Sequence, residues 1–396
     1  MNRKIFLSDM EYGIEEERAV AAVLRERWLT MGPRTAQFEK AFSKKIDGAY
    51  ALFVSSGTTA LHLAVYALGL GKGDEMILPS LTFAATANVA VQCGAQCVFA
   101  DIEDVEVPLL SPKDVAKKIT PRTRIVMPVH YAGFAVNMKK LCEIVEKERK
   151  RRHRAGEKRP LYIVEDAAHA AGARDQSGKP LGILGDAGCF SLFSNKNIAT
   201  GEGGIIATKD ESLYKRLLLL RSHGLTRQTW ERHKSGNKDY ESLYNLSEPG
   251  FNYRPTEIAA ALGIEQLKKL ARINKIREKL FKYVYTRLHN AKNFVLPFKG
   301  LQDWGEPSYH ILPILAADNA TRMQVVASLN DAGIQTSHHY RPVHTMSYYQ
   351  KKYPKAGLSL PKTVEYAERE ITLPLHTKLT KQDMDYIIDA LCKSVS

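Results

Sequence analysis

The chain has 396 residues, 44% of them hydrophobic and 25% charged, enough to bury one large core and a smaller second one. A formal net charge of +14 invites nucleic acid, a membrane surface or a small anionic ligand as partner. No apolar run approaches the ~20 residues of a bilayer span, and the opening MNRKIFLSDMEYGIEEE lacks the apolar stretch of a secretory leader. Cys93, Cys97, Cys142, Cys189 and Cys392 are scattered and form no CxxC pair. Reduced thiols in a cytoplasmic protein are expected, with no metal site.

In chain order, residues 14–27 (IEEERAVAAVLRER) set apolar side chains at helical spacing with acids in the first turn, and WLTMGP ends that helix before another starts at residue 35. The apolar strand 50–54 (YALFV) leads into Ser55-Ser56-Gly57-Thr58-Thr59 and an apolar helix, ALHLAVYALGL. Free N–H groups and hydroxyls at such a helix start bind a phosphate dianion, or act as an ordinary Ser/Thr cap. No Gly-Lys pair follows, so this is not a Walker loop.

Strands at 74–79, 96–100, 124–129 and 161–164 then alternate with helices at 84–92 and 138–151. That alternation predicts a parallel sheet covered on both faces, in which ligands sit at the carboxyl ends of strands. Ser56 to Thr59, Phe83, His130, Asp166 and Lys196 all follow strand ends. Much of the positive charge gathers at 147–159 (KERKRRHRAGEKR). It reads as a solvated helix end and loop: no aromatics interleave and no winged-helix or zinc-finger pattern precedes it, so nucleic-acid binding is not expected.

The stretch 188–208, GCFSLFSNKNIATGEGGIIAT, reads as a strand, a polar turn with Lys196, a glycine-rich bend and a second strand. A lysine held between apolar strands loses its proton easily and can attack a carbonyl; alone, it reads as a solvated turn lysine. Next come a helix at 211–220, a charged loop over 227–248, GFNYRP at 250–255 and a long amphipathic helix, 257–289. A strand at 309–315, a helix at 322–332, His338-His339-Tyr340-Arg341-Pro342 and a last helix from Lys381 complete the chain. The expected fold is α/β, with a mostly parallel sheet in a large domain, 1–258, and a smaller α+β domain, 259–396.

An imine-forming lysine, a strand-end aspartate thirty residues before it, a phosphate-binding helix start and an aromatic at another strand end are together what pyridoxal phosphate needs. The lysine holds the aldehyde, the aspartate keeps the pyridine nitrogen protonated, the helix start takes the phosphate and the aromatic covers the ring. The chain also resembles the DegT-type sugar aminotransferases among fold-type-I pyridoxal phosphate enzymes, through SSGTTALHL, GDEMILPSLTFAATANV, PVHYAG, VEDAAHAAGA, FSLFSNKNIATGEGG, RSHG, GFNYRPTEIAAALGIEQLKKL, HYRPVH and LPLH.

The resemblance implies Lys196 as the Schiff-base residue, Asp166 on the pyridine nitrogen, His169 near the ring hydroxyl and Phe83 on the ring. It implies Gly57, Thr58, Thr59 and Ser191 around the phosphate, joined by Asn252 (or Arg254) from a second subunit, hence a homodimer with shared sites. Relatives with histidine at the lysine position dehydrate instead, so Lys196 argues for amino transfer. The expected partners are a keto sugar, linked to a nucleoside diphosphate, and an amino-acid donor, glutamate. His339, Arg341 and the 227–238 loop are assigned to the sugar nucleotide. The rival readings are amination of a nucleotide-free keto-cyclitol, sugar dehydration on the same fold, and a DNA-binding regulator that uses the positive charge.

Overall fold

Acids in the first turn and a left-handed Arg27 (φ 57°) bound the first helix, α1 (Ile14–Glu26), where the Glu16 carboxylate accepts the Gly13 N–H at 2.9 Å. The computed structural model describes residues 3–226, 245–298, 300 and 304–395. After α1 come α2 (Pro33–Lys45), β1 (Tyr50–Val54), α3 (Gly57–Ala67), β2 (Glu75–Pro79), α4 (Ala84–Gln92), β3 (Gln96–Ala100) and α5 (Pro112–Lys118). Next are β4 (Thr123–Val126), α6 (Met138–Arg154), β5 (Tyr162–Asp166), β6 (Ala187–Ser191), β7 (Gly204–Thr208) and α7 (Glu211–Arg221). The second half holds α8 (Glu257–Leu288), β8 (Phe294–Val295), β9 (Leu312–Ala316), α9 (Asn319–Asp331), α10 (Ser347–Lys352), α11 (Pro361–Arg369), β10 (Glu370–Leu373) and α12 (Lys381–Lys393).

β1 to β7 form one sheet in the order β1-β7-β6-β5-β4-β2-β3, and only β7 runs against its neighbours. This is the mostly parallel α/β sheet expected from the alternation of strands and helices. A strand buried on both faces needs a continuous apolar run, and β2 (EMILP) is buried at all its positions. β8, β9 and β10 make a second, antiparallel sheet in the order β10-β9-β8. α8, about 48 Å long, packs on α1 and α2 at one end and on α12 towards the other. The Glu257 carboxylate at its start accepts the N–H groups of Gly32, Arg34 and Thr35 at 2.7–2.9 Å, and so caps α2 from a distance in sequence.

Three differences from the sequence reading have physical causes. β5 runs on through Glu165 and Asp166, two acids the alternation placed after the strand. Glu165 is tolerated there because four donors meet it: His130 Nε2 and the N–H of Gly182 at 2.8 Å, and those of Leu184 and Gly185 at 2.6 Å. The basic 147–159 stretch is mostly exposed, as expected of a solvated end, but three of its arginines are anchored. Arg152 is buried and donates to Thr123 O and Thr120 O, Arg149 pairs with Asp186 at 2.6 Å, and Arg159 with Asp74 at 2.8 Å, so the charges dock α6 onto the sheet. Helices α5 and α11 and strand β10 are short, at seven, nine and four residues, and were not anticipated.

Candidate active site

Ser56 closes the start of α3: its Oγ accepts the Thr59 N–H at 3.1 Å, and Thr59 Oγ1 accepts the Ser56 N–H at 2.9 Å. This reciprocal cap uses up the Thr59 hydroxyl, so Thr59 shapes the turn while Ser56, Gly57 and Thr58 line the cavity beside it. First-turn N–H groups have no acceptor within their own helix and attract an anion. Gly57 must be glycine because a Cβ there would stand 2.9 Å from Ser191 Cβ, and that closeness brings the end of β6 against the helix start.

The cavity has a volume of about 360 Å³. Phe83, the N-cap of α4, forms part of its wall and is 62% exposed, its ring 6.2 Å from that of Tyr340. Asp166 ends β5 at the floor, 4% exposed. Its Oδ2 accepts from Thr86 Oγ1 at 2.8 Å and its Oδ1 from the Ala168 N–H at 3.1 Å. Burial lifts its carboxyl above the ordinary aspartate range, against the lowering effect of those two bonds. A buried carboxylate with two neutral donors and, among the described residues, no ion pair is matched by a cationic group entering the cavity, as a protonated pyridine would be.

His169 is buried behind Asp166. Its Nδ1 accepts the Ala132 N–H at 3.2 Å, so its proton lies on Nε2 and goes to the Tyr340 hydroxyl at 2.8 Å. Burial, followed by the positive charge of Lys196, keeps the ring neutral. Lys196 enters from the turn after β6. Burial lowers its pKa to about 8, Arg277 adds to that lowering, and Asp166 opposes it. A part of its amine population is therefore neutral and nucleophilic near neutral pH.

Of the residues singled out in the sequence, the structure gathers Gly57, Thr58, Phe83, Asp166, His169, Ser191, Lys196 and His339 around this one cavity. His130 is not among them: it is fully buried against Glu165. Arg341 is exposed and bonds back to Thr345, and Asn252 is exposed on its own chain, away from the cavity. Residues 227–238 lie outside the described residues. Thr86, Asn195 and Tyr340 line the cavity unanticipated. Tyr340 stands inside a segment already noted for its histidines, whereas Thr86 meets Asp166 across eighty residues and leaves no local trace.

The cavity thus offers an anion cradle, a carboxylate for a cation, an aromatic wall and an amine, a donor set that fits pyridoxal phosphate. Among the described residues there is no cluster suited to a metal ion and no helix long and apolar enough to cross a membrane. The sequence model of the DegT/DnrJ/EryC1/StrS aminotransferase family matches residues 11–392. The spore coat polysaccharide biosynthesis protein SpsC of Bacillus subtilis is 34% identical over 384 residues, 96% of this chain and 94% of that protein. PseC of Helicobacter pylori, an aminotransferase involved in the biosynthesis of pseudoaminic acid, superposes with a TM-score of 0.88 at 27% identity over 99% of both chains. Spr1654 of Streptococcus pneumoniae in its PMP form superposes with a TM-score of 0.90 at 28% identity, again over 99% of both chains, and its PLP form with 0.89.

Proposed function

The chain belongs to the DegT/DnrJ/EryC1/StrS aminotransferase family and uses pyridoxal 5′-phosphate, and from that premise we propose that it moves an amino group from glutamate to the keto carbon of a nucleoside-diphosphate-linked sugar. The observation that carries the reading is one cavity shared by Lys196, Asp166, Phe83, Ser191 and the open start of α3. The roles of relatives in making spore-coat polysaccharide and pseudoaminic acid support a sugar substrate. The positive net charge suits a diphosphate.

Pyridoxal phosphate supplies an aldehyde that joins to an amine and a ring that takes up the electron pair left when the neighbouring carbon loses its proton. In this reading Lys196 would hold the cofactor, and its free amine would take the proton from the substrate carbon. Asp166, fixed by Thr86 and Ala168, holds a proton on the ring nitrogen. Neutral His169 holds the Tyr340 hydroxyl, and Gly57, Thr58 and Ser191 would bind the phosphate. Phe83 would cover the ring, and His339 would meet the sugar nucleotide.

The exposure of Phe83 and Phe193 at the rim supports a second copy of the chain closing the site, with Asn252 reaching the partner's phosphate in a homodimer. Scattered cysteines suit the cytoplasm.

The test is to load the protein with pyridoxamine phosphate and offer keto sugars with and without a nucleoside diphosphate, following return of the aldehyde-form absorbance. Return with the nucleotide-linked sugar alone is expected. Return with a nucleotide-free keto-cyclitol alone replaces the substrate, and loss of water without amino transfer replaces the reaction.

A further inference from the structure

Behind Lys196 the structure holds a polar network that no step above uses. Lys196 Nζ lies 3.3 Å from His310 Nε2. The other ring nitrogen of His310 stands 3.0 Å from Asn197 Oδ1. That amide cannot turn round, because its Nδ2 donates to Asn274 Oδ1 and to Ser308 O, each at 2.7 Å. An amide oxygen only accepts, so the His310 proton sits on Nδ1 and a lone pair on Nε2 faces Lys196. Burial, then the charge of Lys196, holds His310 neutral.

Arg277 of α8 lies on the far side of His310. Its Nη2 donates to His310 O at 2.6 Å and its Nη1 to Leu375 O at 2.7 Å. Both acceptors are neutral carbonyls. The residue is 5% exposed, and its Nε finds no hydrogen-bond partner among the described residues. Arg277 and Lys196 line one small cavity of about 20 Å³, room for about one water. A buried guanidinium whose hydrogen bonds go to neutral carbonyls is less compensated than one paired directly with a carboxylate, and its charge acts on its neighbours.

We propose that His310 and Arg277 are positioning residues for Lys196: His310 receives one N–H of the free amine and so turns its lone pair into the active-site cavity, while the charge of Arg277, added to the effect of burial, enlarges the neutral share of that amine. The proposal rests on Lys196 being the cofactor-binding amine. The other groups facing Lys196 are Asp166, which favours the ammonium, the neutral rings of His169 and His339, and Asp9 and Glu11 along the small cavity. Asp166 alone would raise the lysine; Arg277 offsets it.

The experiment uses the cofactor-free protein, so it is decided whatever sugar the enzyme accepts. Trace acetylation with acetic anhydride across pH, read by mass spectrometry on the peptide bearing Lys196, should give a midpoint near pH 8. Arg277→Met should move the midpoint up by on the order of one unit, about tenfold less neutral amine at pH 7, and Arg277→Lys should restore it. In single turnover of the loaded protein with the amino donor, His310→Leu should slow proton transfer about tenfold or more with cofactor affinity kept, and His310→Gln, whose amide oxygen accepts, should recover part of the loss. A wild-type midpoint in the ordinary lysine range of about 10.4 overturns the proposal even where Arg277→Met does not fold. So does an unchanged midpoint in folded Arg277→Met, or a wild-type single-turnover rate in His310→Leu.

Discussion

At the scale of single residues, the site is built by fixing groups that would otherwise rotate or change charge. The Asp166 carboxylate has one oxygen held by Thr86 and the other by Ala168, so its charge is aimed before any ligand arrives. Thr86→Val keeps the shape and removes one donor. A hydrogen bond to a charged group contributes about 1.5–3 kcal/mol, so the cofactor dissociation constant, measured by absorbance titration, should rise about tenfold or more with little change in fold. Lys196, Asp166 and His169, which the structure brings to one cavity, could be singled out in the sequence because each stands in a short, chemically distinctive segment near a strand end. Thr86, His310 and Arg277 were not, since each acts through a contact across thirty or more residues that local pattern cannot display.

Among the elements, strands and helices of strong periodicity were readable to within a few residues: α4 and β3 fall at 84–92 and 96–100 as predicted. What escaped was chemistry delivered from elsewhere. His130 looked like a site residue because it follows a strand end, yet its ring donates to Glu165 and so helps hold the 182–185 loop that feeds β6. The basic end of α6 is mostly solvated, as expected; what local pattern did not show is that Arg149 and Arg152 have acidic and carbonyl partners on other segments. Two substitutions test how elements place the site. Gly57→Ala would set a methyl 2.9 Å from Ser191 Cβ, forcing α3 away from β6. Cofactor affinity should fall about tenfold or more while the melting temperature changes little, because the displaced segment is the phosphate cradle rather than the core. Glu257→Ala, by contrast, leaves the Gly32, Arg34 and Thr35 N–H groups without their acceptor. Unfolding in denaturant should show a loss of about 3 kcal/mol.

The whole molecule joins a large sheet to a small one through α8, and we propose the division at 258/259 as the domain boundary. One apolar core runs across it, uniting Ile77 and Val126 with Leu312 and Ile371. Thermal unfolding of the cofactor-free protein should therefore be a single transition; two separate ones would contradict that continuity. A shared site between two copies makes a sharper prediction. Lys196→Ala and Asn252→Asp, each inactive alone, should on co-refolding regain about one quarter of wild-type activity, because half of the dimers then carry one site with both native residues. No recovery would place Asn252 outside the partner's site.

Which amine bonds the cofactor decides the reaction proposed for this chain. Borohydride treatment of the protein loaded with pyridoxal phosphate, followed by digestion and mass spectrometry, reads this directly. The reduced cofactor should be found on the peptide carrying Lys196 and be lost in Lys196→Ala, which still binds cofactor. Its appearance on another lysine, or on none with full turnover retained, would contradict the account.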